Sequence, residues 1–252
     1  MVEIAKRTGA GALLLLILPL LLWVSGWQWR PESDYRWLKG WYWLTQTVTS
    51  PWGTLTSALL IGWFLWCLRY RLRPALGLAV ILSATLLIGQ GMKSFIKERV
   101  QEPRPYVVWL DKHYALNDRA FYAMPRKARA AALARELQQQ QLIPPWLQRH
   151  WRAETGFSFP SGHTVFAASW ALLAVGLLWP RRHRVSTVVL MAWASGVMVS
   201  RMALGMHWPR DVVMGIAVGW LVITLACWLV QRSIGALTPI PEEAPDIRSR
   251  SE

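Results

Sequence analysis

Cysteine and charge are both scarce in this sequence of 252 residues. The two cysteines, Cys67 and Cys227, are isolated inside apolar runs, so they cannot form a disulfide framework or a cysteine-based zinc site. Charged residues make up only 17% of the chain and hydrophobic residues 54%, proportions that argue against a soluble globular protein. We therefore interpret both cysteines as packing residues of a membrane-embedded chain.

Acidic residues are half as numerous as basic ones, 14 against 28, and they form no cluster with histidine that would suit Mg²⁺ or Zn²⁺. The net charge of +14 is compatible with binding to nucleic acid, an anionic membrane surface or an acidic substrate. Because the arginines flank apolar segments rather than form a basic domain, we expect no nucleic-acid partner. The chain also lacks the internal repeat that is common in transporters.

Six apolar segments are long enough to be considered as transmembrane helices. They are Gly11–Trp27, Trp52–Leu68, Ala75–Met92, Ser161–Trp179, Val185–Leu204 and Val212–Val230. The 18 tryptophans fit this interpretation, since indole side chains anchor spans at the lipid headgroups. The first segment has the charge pattern of a signal peptide but no clear cleavage site, so we expect a retained span. The predicted fold is all-α and polytopic, with six transmembrane helices.

Basic residues in the short connections predict the orientation of the spans. Four basic clusters lie on one side of a six-span bundle: Lys6 and Arg7; Arg69, Arg71 and Arg73; Arg181, Arg182 and Arg184; and Arg232. We assign that side, with both termini, to the cytoplasm. Residues 1–237 then form one membrane domain, and residues 238–252 are predicted to be a disordered cytoplasmic tail.

The longest connection, residues 93–160, is predicted to form a helical extramembrane cap on the non-cytoplasmic side. Its segment Arg126–Gln140 is rich in helix-forming residues, and the flanking Pro125, Pro144 and Pro145 should stop that helix at both ends.

Three polar clusters fall at the non-cytoplasmic face in this topology: Lys97–Pro105, Pro160–His163 and Ser200–Asp211. Lys97, Arg104 and Arg201 are cations with few acids nearby, a combination that suits a phosphate group, although each alone is more typical of an interfacial anchor. The second cluster predicts a helix start, at which free N–H groups, Gly162 and the Ser161 hydroxyl can bind an anion. An ordinary capped helix is the alternative.

The two histidines of these clusters, His163 and His207, favour catalysis. One histidine can attack phosphorus to form a phosphohistidine, and the other can protonate the leaving alkoxide and then activate water. Pro209 predicts a helix that begins between His207 and Asp211, so that the carboxylate reaches back to orient the imidazole. A residue of the interfacial belt is an equally good interpretation of either histidine alone.

Together these positions resemble the type 2 phosphatidic acid phosphatase superfamily. The pattern K-x6-R-P, P-S-G-H and S-R-x5-H-x3-D is complete, with Lys97, Arg104, Pro105, Pro160, Ser161, Gly162, His163, Ser200, Arg201, His207 and Asp211 in the fixed positions. The resemblance implies His207 as the nucleophile, Asp211 as its partner and His163 as the general acid. The residues that it implies for phosphate binding are Lys97, Arg104, Ser161, Gly162 and Arg201.

The resemblance also implies the reaction. It is strongest to bacterial membrane enzymes that hydrolyse phosphatidylglycerophosphate, and also phosphatidic acid, lysophosphatidic acid, diacylglycerol pyrophosphate and undecaprenyl pyrophosphate. We therefore expect phospholipid and polyprenyl phosphate substrates, no metal or other cofactor, no obligate protein partner, and an inner-membrane location with the site facing the periplasm. Glu154 is interpreted either as a residue of the substrate-binding site, where it pairs with a phosphate-binding cation or contacts the lipid headgroup, or as a solvated loop acid.

Three alternatives stay open. A lipid flippase or transporter with a phosphate site would typically show repeated halves or charges near the bilayer midplane. A soluble phosphatase or vanadium haloperoxidase shares the same active site but would not need six spans. A purely structural membrane protein would not need two histidines, an aspartate and three cations at one end.

Overall fold

The computed structural model describes residues 1–31, 35–114, 116–138 and 142–234. This part of the chain is all helical, without a strand. The helices are α1 (Val2–Val24), α2 (Arg36–Gln46), α3 (Trp52–Leu68), α4 (Leu72–Val100), α5 (Pro105–His113), α6 (Asp118–Ala123), α7 (Arg126–Gln138), α8 (Pro145–Ala153), α9 (Gly162–Leu173), α10 (Arg184–Ala203) and α11 (Pro209–Ile234). A π-helical turn and a 3₁₀ turn extend α9 to Arg181. The predicted disordered tail, residues 238–252, lies outside the described residues.

Five helical stretches are long and apolar enough to cross a membrane: α1, the stretch that begins with α4, α9 with its extension, α10 and α11. The remaining predicted span, α3, is also apolar but has 17 residues, fewer than the roughly 20 that a bilayer core requires. Every predicted span thus coincides with a helix, while the count of six stays a prediction because α3 is short.

The outer surface of the bundle is apolar. Leu59, Leu87 and Val185, each within a helix, expose 65%, 73% and 78% of their surface. A soluble monomer rarely leaves so many large apolar side chains in water. This surface fits a lipid environment and disfavours the soluble alternative.

Helix α9 forms the centre of the bundle and packs against α1, α4, α10 and α11. Its closest neighbour is α11, because a Cβ atom on Gly215 would lie 2.9 Å from the Cβ of Thr164, and one on Gly219 would lie 3.3 Å from that of Ala168. Small residues permit such close approach in membrane helices. The contacts follow one another in the same order along both helices, so α9 and α11 run parallel and both begin at the same end of the bundle.

Helices α5 to α8 build a second hydrophobic core over that end. Its large members include Tyr106, Phe121 and Trp151, and Tyr106 stacks on Trp151 with the ring centroids 4.7 Å apart. The Trp151 indole donates a hydrogen bond to the carbonyl of Leu204, at the end of α10 (2.9 Å). The cap is therefore attached to the chain segment that leads into the third polar cluster.

The structure refines the predicted bounds of this cap. Helix α7 begins at Arg126 as predicted and is described to Gln138, whereas residues 139 and 140 lie outside the described residues. The connection assigned to residues 93–160 differs at its start, because α4 continues to Val100 before Gln101 adopts a left-handed conformation (φ 52°). Residues 93–100 therefore extend a membrane helix instead of beginning the cap.

Candidate active site

His207 and Asp211 are brought together by the turn between α10 and α11. Gly205 has φ of 71°, and a side chain there would also collide with the Trp29 ring. Helix α11 begins at Pro209 as predicted, and Nδ1 of His207 lies 3.2 Å from Oδ2 of Asp211. Because a carboxylate only accepts hydrogen bonds, Nδ1 carries the proton and Nε2 keeps its lone pair. Burial, together with the cations Arg104 and Arg201, holds the pKa of His207 well below its usual value, which favours a neutral imidazole.

The second histidine, His163, stands in the first turn of α9. Its Nε2 lies 3.0 Å from the hydroxyl of Thr49, which precedes α3. The same nitrogen is 3.6 Å from a carboxylate oxygen of Glu154. Both predicted catalytic histidines line one cavity of about 460 Å³.

Glu154 lies at the centre of the predicted phosphate-binding cations. Its carboxylate accepts a hydrogen bond from Arg201 (2.6 Å), and Arg104 lies 3.7 Å away. Burial opposes ionisation of Glu154, but the positive charges around it, of which Arg201 is the strongest, outweigh burial and hold the Glu154 pKa well below its usual value. Of the two sequence-based interpretations, pairing with a site cation is what the structure shows, and a solvated loop acid is wrong.

Arg201 is completely buried beneath Glu154. Its Nη1 donates to the hydroxyl of Thr45 (3.0 Å) and contacts Nε2 of His150 (3.2 Å). Burial and the neighbouring Arg201 and Arg104 lower the His150 pKa to about 4, so His150 is neutral and accepts this hydrogen bond. In the part of the chain that the structure describes, Nε of Arg201 has no partner.

Lys97 and Arg104 hold the loop that connects the cap to α9. Lys97 donates to the carbonyls of Phe157 (2.5 Å) and Ser158 (3.3 Å), and Arg104 donates to those of Gly156 (2.7 Å) and Met206 (3.1 Å). The sequence assigned both cations to phosphate alone. Their bonds to backbone carbonyls add a structural role that motif spacing does not reveal.

Ser161 caps α9 and does not line the cavity. Its Oγ accepts hydrogen bonds from the Thr164 backbone N–H (3.3 Å) and the Thr164 hydroxyl (2.9 Å), and the side chain is buried. Gly162, by contrast, lines the cavity at the start of the helix. The Ser161 backbone N–H donates to the Asp211 carbonyl (3.1 Å), which joins the second and third polar clusters.

The structure also places residues in the site that the sequence analysis missed. Six predicted residues line the cavity: Lys97, Arg104, Glu154, Gly162, His163 and His207. Further lining cations are Lys93, Arg126, Lys127 and Arg152. Lys93 is one helical turn before Lys97, a spacing that could have indicated it. Ser158, which donates a hydrogen bond to Asp211 Oδ2, carried no sequence signal because it stands in a loop.

A buried pair of histidine and aspartate beside a cation-lined cavity is an arrangement suited to binding a phosphate ester. The chain belongs to the PAP2 superfamily, whose family model matches residues 75–234. The resemblance stated from the motifs is thereby confirmed.

Individual relatives extend this similarity over the whole chain. Phosphatidylglycerophosphatase B of Escherichia coli (strain K12) is 51% identical over 250 residues, which cover 99% of this chain and 98% of the relative. Phosphatidylglycerophosphatase B of Haemophilus influenzae is 32% identical over 227 residues, or 86% and 92% of the two chains. A lipid A 4'-phosphatase of Bacteroides thetaiotaomicron is 36% identical over 90 residues, only 34% and 38% of the chains.

Proposed function

We propose that the protein is a membrane lipid phosphatase that hydrolyses phosphatidylglycerophosphate to phosphatidylglycerol through a phosphohistidine. The observation that carries this proposal is the buried His207–Asp211 pair at the wall of a cavity that Lys97 and Arg104 also line. The two relatives that match most of this chain are both named phosphatidylglycerophosphatase B, and these names support the hydrolysis of phosphatidylglycerophosphate. We extend it to phosphatidic acid, lysophosphatidic acid, diacylglycerol pyrophosphate and undecaprenyl pyrophosphate, which present the same terminal phosphate.

In the proposed mechanism, Nε2 of His207 attacks phosphorus while the bond from phosphorus to the lipid oxygen breaks. His163 donates a proton to that leaving oxygen, which becomes the lipid hydroxyl. Water then attacks the phosphohistidine as His163 takes its proton, and phosphate leaves with the Nε2 lone pair restored. Asp211 holds the proton on Nδ1 and stabilises the positive charge that develops on the ring.

Charge stabilisation in this scheme comes from cationic side chains and from the first backbone N–H groups of α9. Arg104 and Lys97 line the cavity and are positioned to balance the charge of the phosphoryl oxygens, while the buried Arg201 contacts Glu154 behind them. Gly162 allows the phosphoryl oxygens to approach the first N–H groups of α9. Glu154 marks the position that an anion takes among the cations, since its carboxylate already contacts Arg201. We therefore propose a reaction without a metal cofactor.

A second cavity, of about 360 Å³, supports a lipid as the substrate. It lies between α3 and α4, where Ser57, Ile61 and Leu87 are among its lining residues. Val48, Gln90 and Phe166 line both this cavity and the catalytic one, so the two are adjacent. An acyl or polyprenyl chain can occupy the apolar space between the spans while its phosphate reaches His207.

The protein is accordingly placed in the bacterial inner membrane. We propose that α3 completes a six-span bundle, that the active site faces the periplasm and that both termini are cytoplasmic. The basic connections between the spans support this orientation through the positive-inside rule.

Phosphate release from detergent-purified protein tests the proposal. Wild type and His207→Ala are compared on phosphatidylglycerophosphate, phosphatidic acid and undecaprenyl pyrophosphate, with and without a chelator. We expect release by wild type in both conditions and a loss of at least about 10³-fold in kcat for His207→Ala. Turnover by a folded His207→Ala protein would contradict the nucleophile assignment, and loss of wild-type activity in chelator would contradict the metal-free mechanism.

A further inference from the structure

Three cations of the cap line the catalytic cavity. Arg126 and Lys127 begin α7, and Arg152 lies near the end of α8. All three side chains are exposed, and none makes an ion pair or hydrogen bond with any residue that the structure describes. We call them the rim cations. Arg129, also on α7, differs because it donates to three backbone carbonyls.

The rim cations lie close to the inner phosphate site but at a different depth. Arg104 and Arg201 are buried, whereas the rim cations are exposed. Nη2 of Arg126 is 3.6 Å from the point that a Cβ atom on Gly156 would occupy, and the carbonyl of Gly156 accepts the hydrogen bond from Arg104. Gly156 thus contacts both Arg126, one of the rim cations, and the buried Arg104.

The cavity volume of about 460 Å³ falls within the range of sites that hold a drug-sized ligand, and it exceeds what one phosphate group needs. Among the described residues the rim cations have no acidic partner, so they favour a ligand that carries additional negative charge. Guanidinium groups bind phosphate oxygens in pairs, and the lysine adds a point charge.

We propose that the rim cations bind a second phosphate group of the substrate, so that the enzyme selects lipids with two phosphates over lipids with one. The second group is the phosphodiester of phosphatidylglycerophosphate or the inner phosphate of a lipid diphosphate. This inference rests on the proposed function and assigns substrate selection within that site to Arg126, Lys127 and Arg152.

Two double variants of equal charge test the assignment. Arg126→Gln/Arg152→Gln removes one rim cation from α7 and one from α8. Arg135→Gln/Arg149→Gln removes exposed arginines from the same two helices at positions that do not line the cavity. We expect the first variant to raise KM for phosphatidylglycerophosphate about tenfold and KM for phosphatidic acid less than about twofold, since exposed charges contribute modestly. The second variant should leave both values unchanged.

If the first variant raises KM equally for both lipids, or if the control variant raises KM, the proposal is overturned. The arginines would then attract anions in general and would not recognise a second phosphate. No rise in KM for the first variant would also overturn it.

If wild type hydrolyses neither lipid, the proposed function fails. Calorimetric binding of methylenediphosphonate and of inorganic phosphate then tests the inference separately. Wild type should bind the diphosphonate more tightly than phosphate, and Arg126→Gln/Arg152→Gln should lose that preference; retention of the preference would overturn the assignment.

Discussion

Asp211 contacts three hydrogen-bond donors with a single carboxylate oxygen, Oδ2. Oδ2 accepts the hydroxyl of Ser158 and the Trp208 backbone N–H (2.9 Å) and lies 3.2 Å from His207 Nδ1. The other oxygen, Oδ1, is buried without a partner among the described residues. Ser158 therefore fixes the rotation of the carboxylate, and with it the direction of the His207 ring.

Ser158→Ala should lower kcat about 10- to 100-fold with little change in KM, because a hydrogen bond to a charged group contributes roughly 1.5–3 kcal/mol. Ser158 acts through Asp211 and does not line the cavity, so substrate binding should persist. Steady-state kinetics on phosphatidic acid check this, with thermal unfolding in detergent as the control for folding. An unchanged kcat would show that Ser158 only fills space.

The contacts of a site residue can be predicted from the sequence when its partner lies a few residues away in the same turn. The contact between His207 and Asp211 follows from a separation of four residues and a proline at the helix start. Ser158 was not predictable, because its partner is distant in sequence and a loop serine has no periodicity. The capping role of Ser161 was weighed as an alternative, and only the position of Thr164 shows that it is the observed one.

At the scale of elements, Arg129 connects three parts of the cap. It donates to the carbonyls of Met124 (2.8 Å) and Thr155 (3.1 Å), and it lies over the rings of Tyr122 and Phe157. Those two rings stack on each other with centroids 4.6 Å apart. Helices α6 and α7 are thereby fastened to the loop that carries Glu154 and Ser158.

Arg129→Gln should therefore destabilise the cap by about 3 kcal/mol and lower kcat as well, because the loop that positions Asp211 loses its anchor. Thermal unfolding and phosphate release measure the two effects. Arg135→Gln, an exposed change on the same helix, is the matched control and should alter neither. A stable but inactive Arg129→Gln protein would mean that Arg129 acts on the substrate rather than on the loop.

Long elements were more predictable than short ones. Helix α7 was expected from its composition and flanking prolines, and the apolar segments located the membrane helices. Helices α5, α6 and α8 were not expected, since each has nine residues or fewer and depends on burial of side chains such as Trp151 for stability. The end of α4 was also placed too early, because Lys97 and its neighbours look like a loop although they continue the helix.

At the scale of the whole molecule, the side of the membrane on which each loop lies depends on α3. If α3 crosses, Lys6 and Arg182 share the side opposite to Arg119 of the cap. If it does not, Lys6 lies on the same side as the cap. The two native cysteines are buried, so background labelling should be low.

Single substitutions Lys6→Cys, Arg119→Cys and Arg182→Cys, all at exposed positions, can distinguish these topologies in intact cells. A membrane-impermeant thiol reagent should label only Arg119→Cys, and all three after the cells are opened. Labelling of Lys6→Cys in intact cells would contradict six spans. Labelling of Arg182→Cys but not of Arg119→Cys would reverse the proposed orientation.

The parallel contact of α9 and α11 has a consequence for stability. Both helices begin at the catalytic cavity, so two positive helix ends lie side by side and repel each other, while the contacts of Gly215 and Gly219 keep the helices together. An anion between those ends removes the repulsion. We therefore expect substrate and product phosphate to share one effect, which is to make the occupied protein harder to unfold than the empty one.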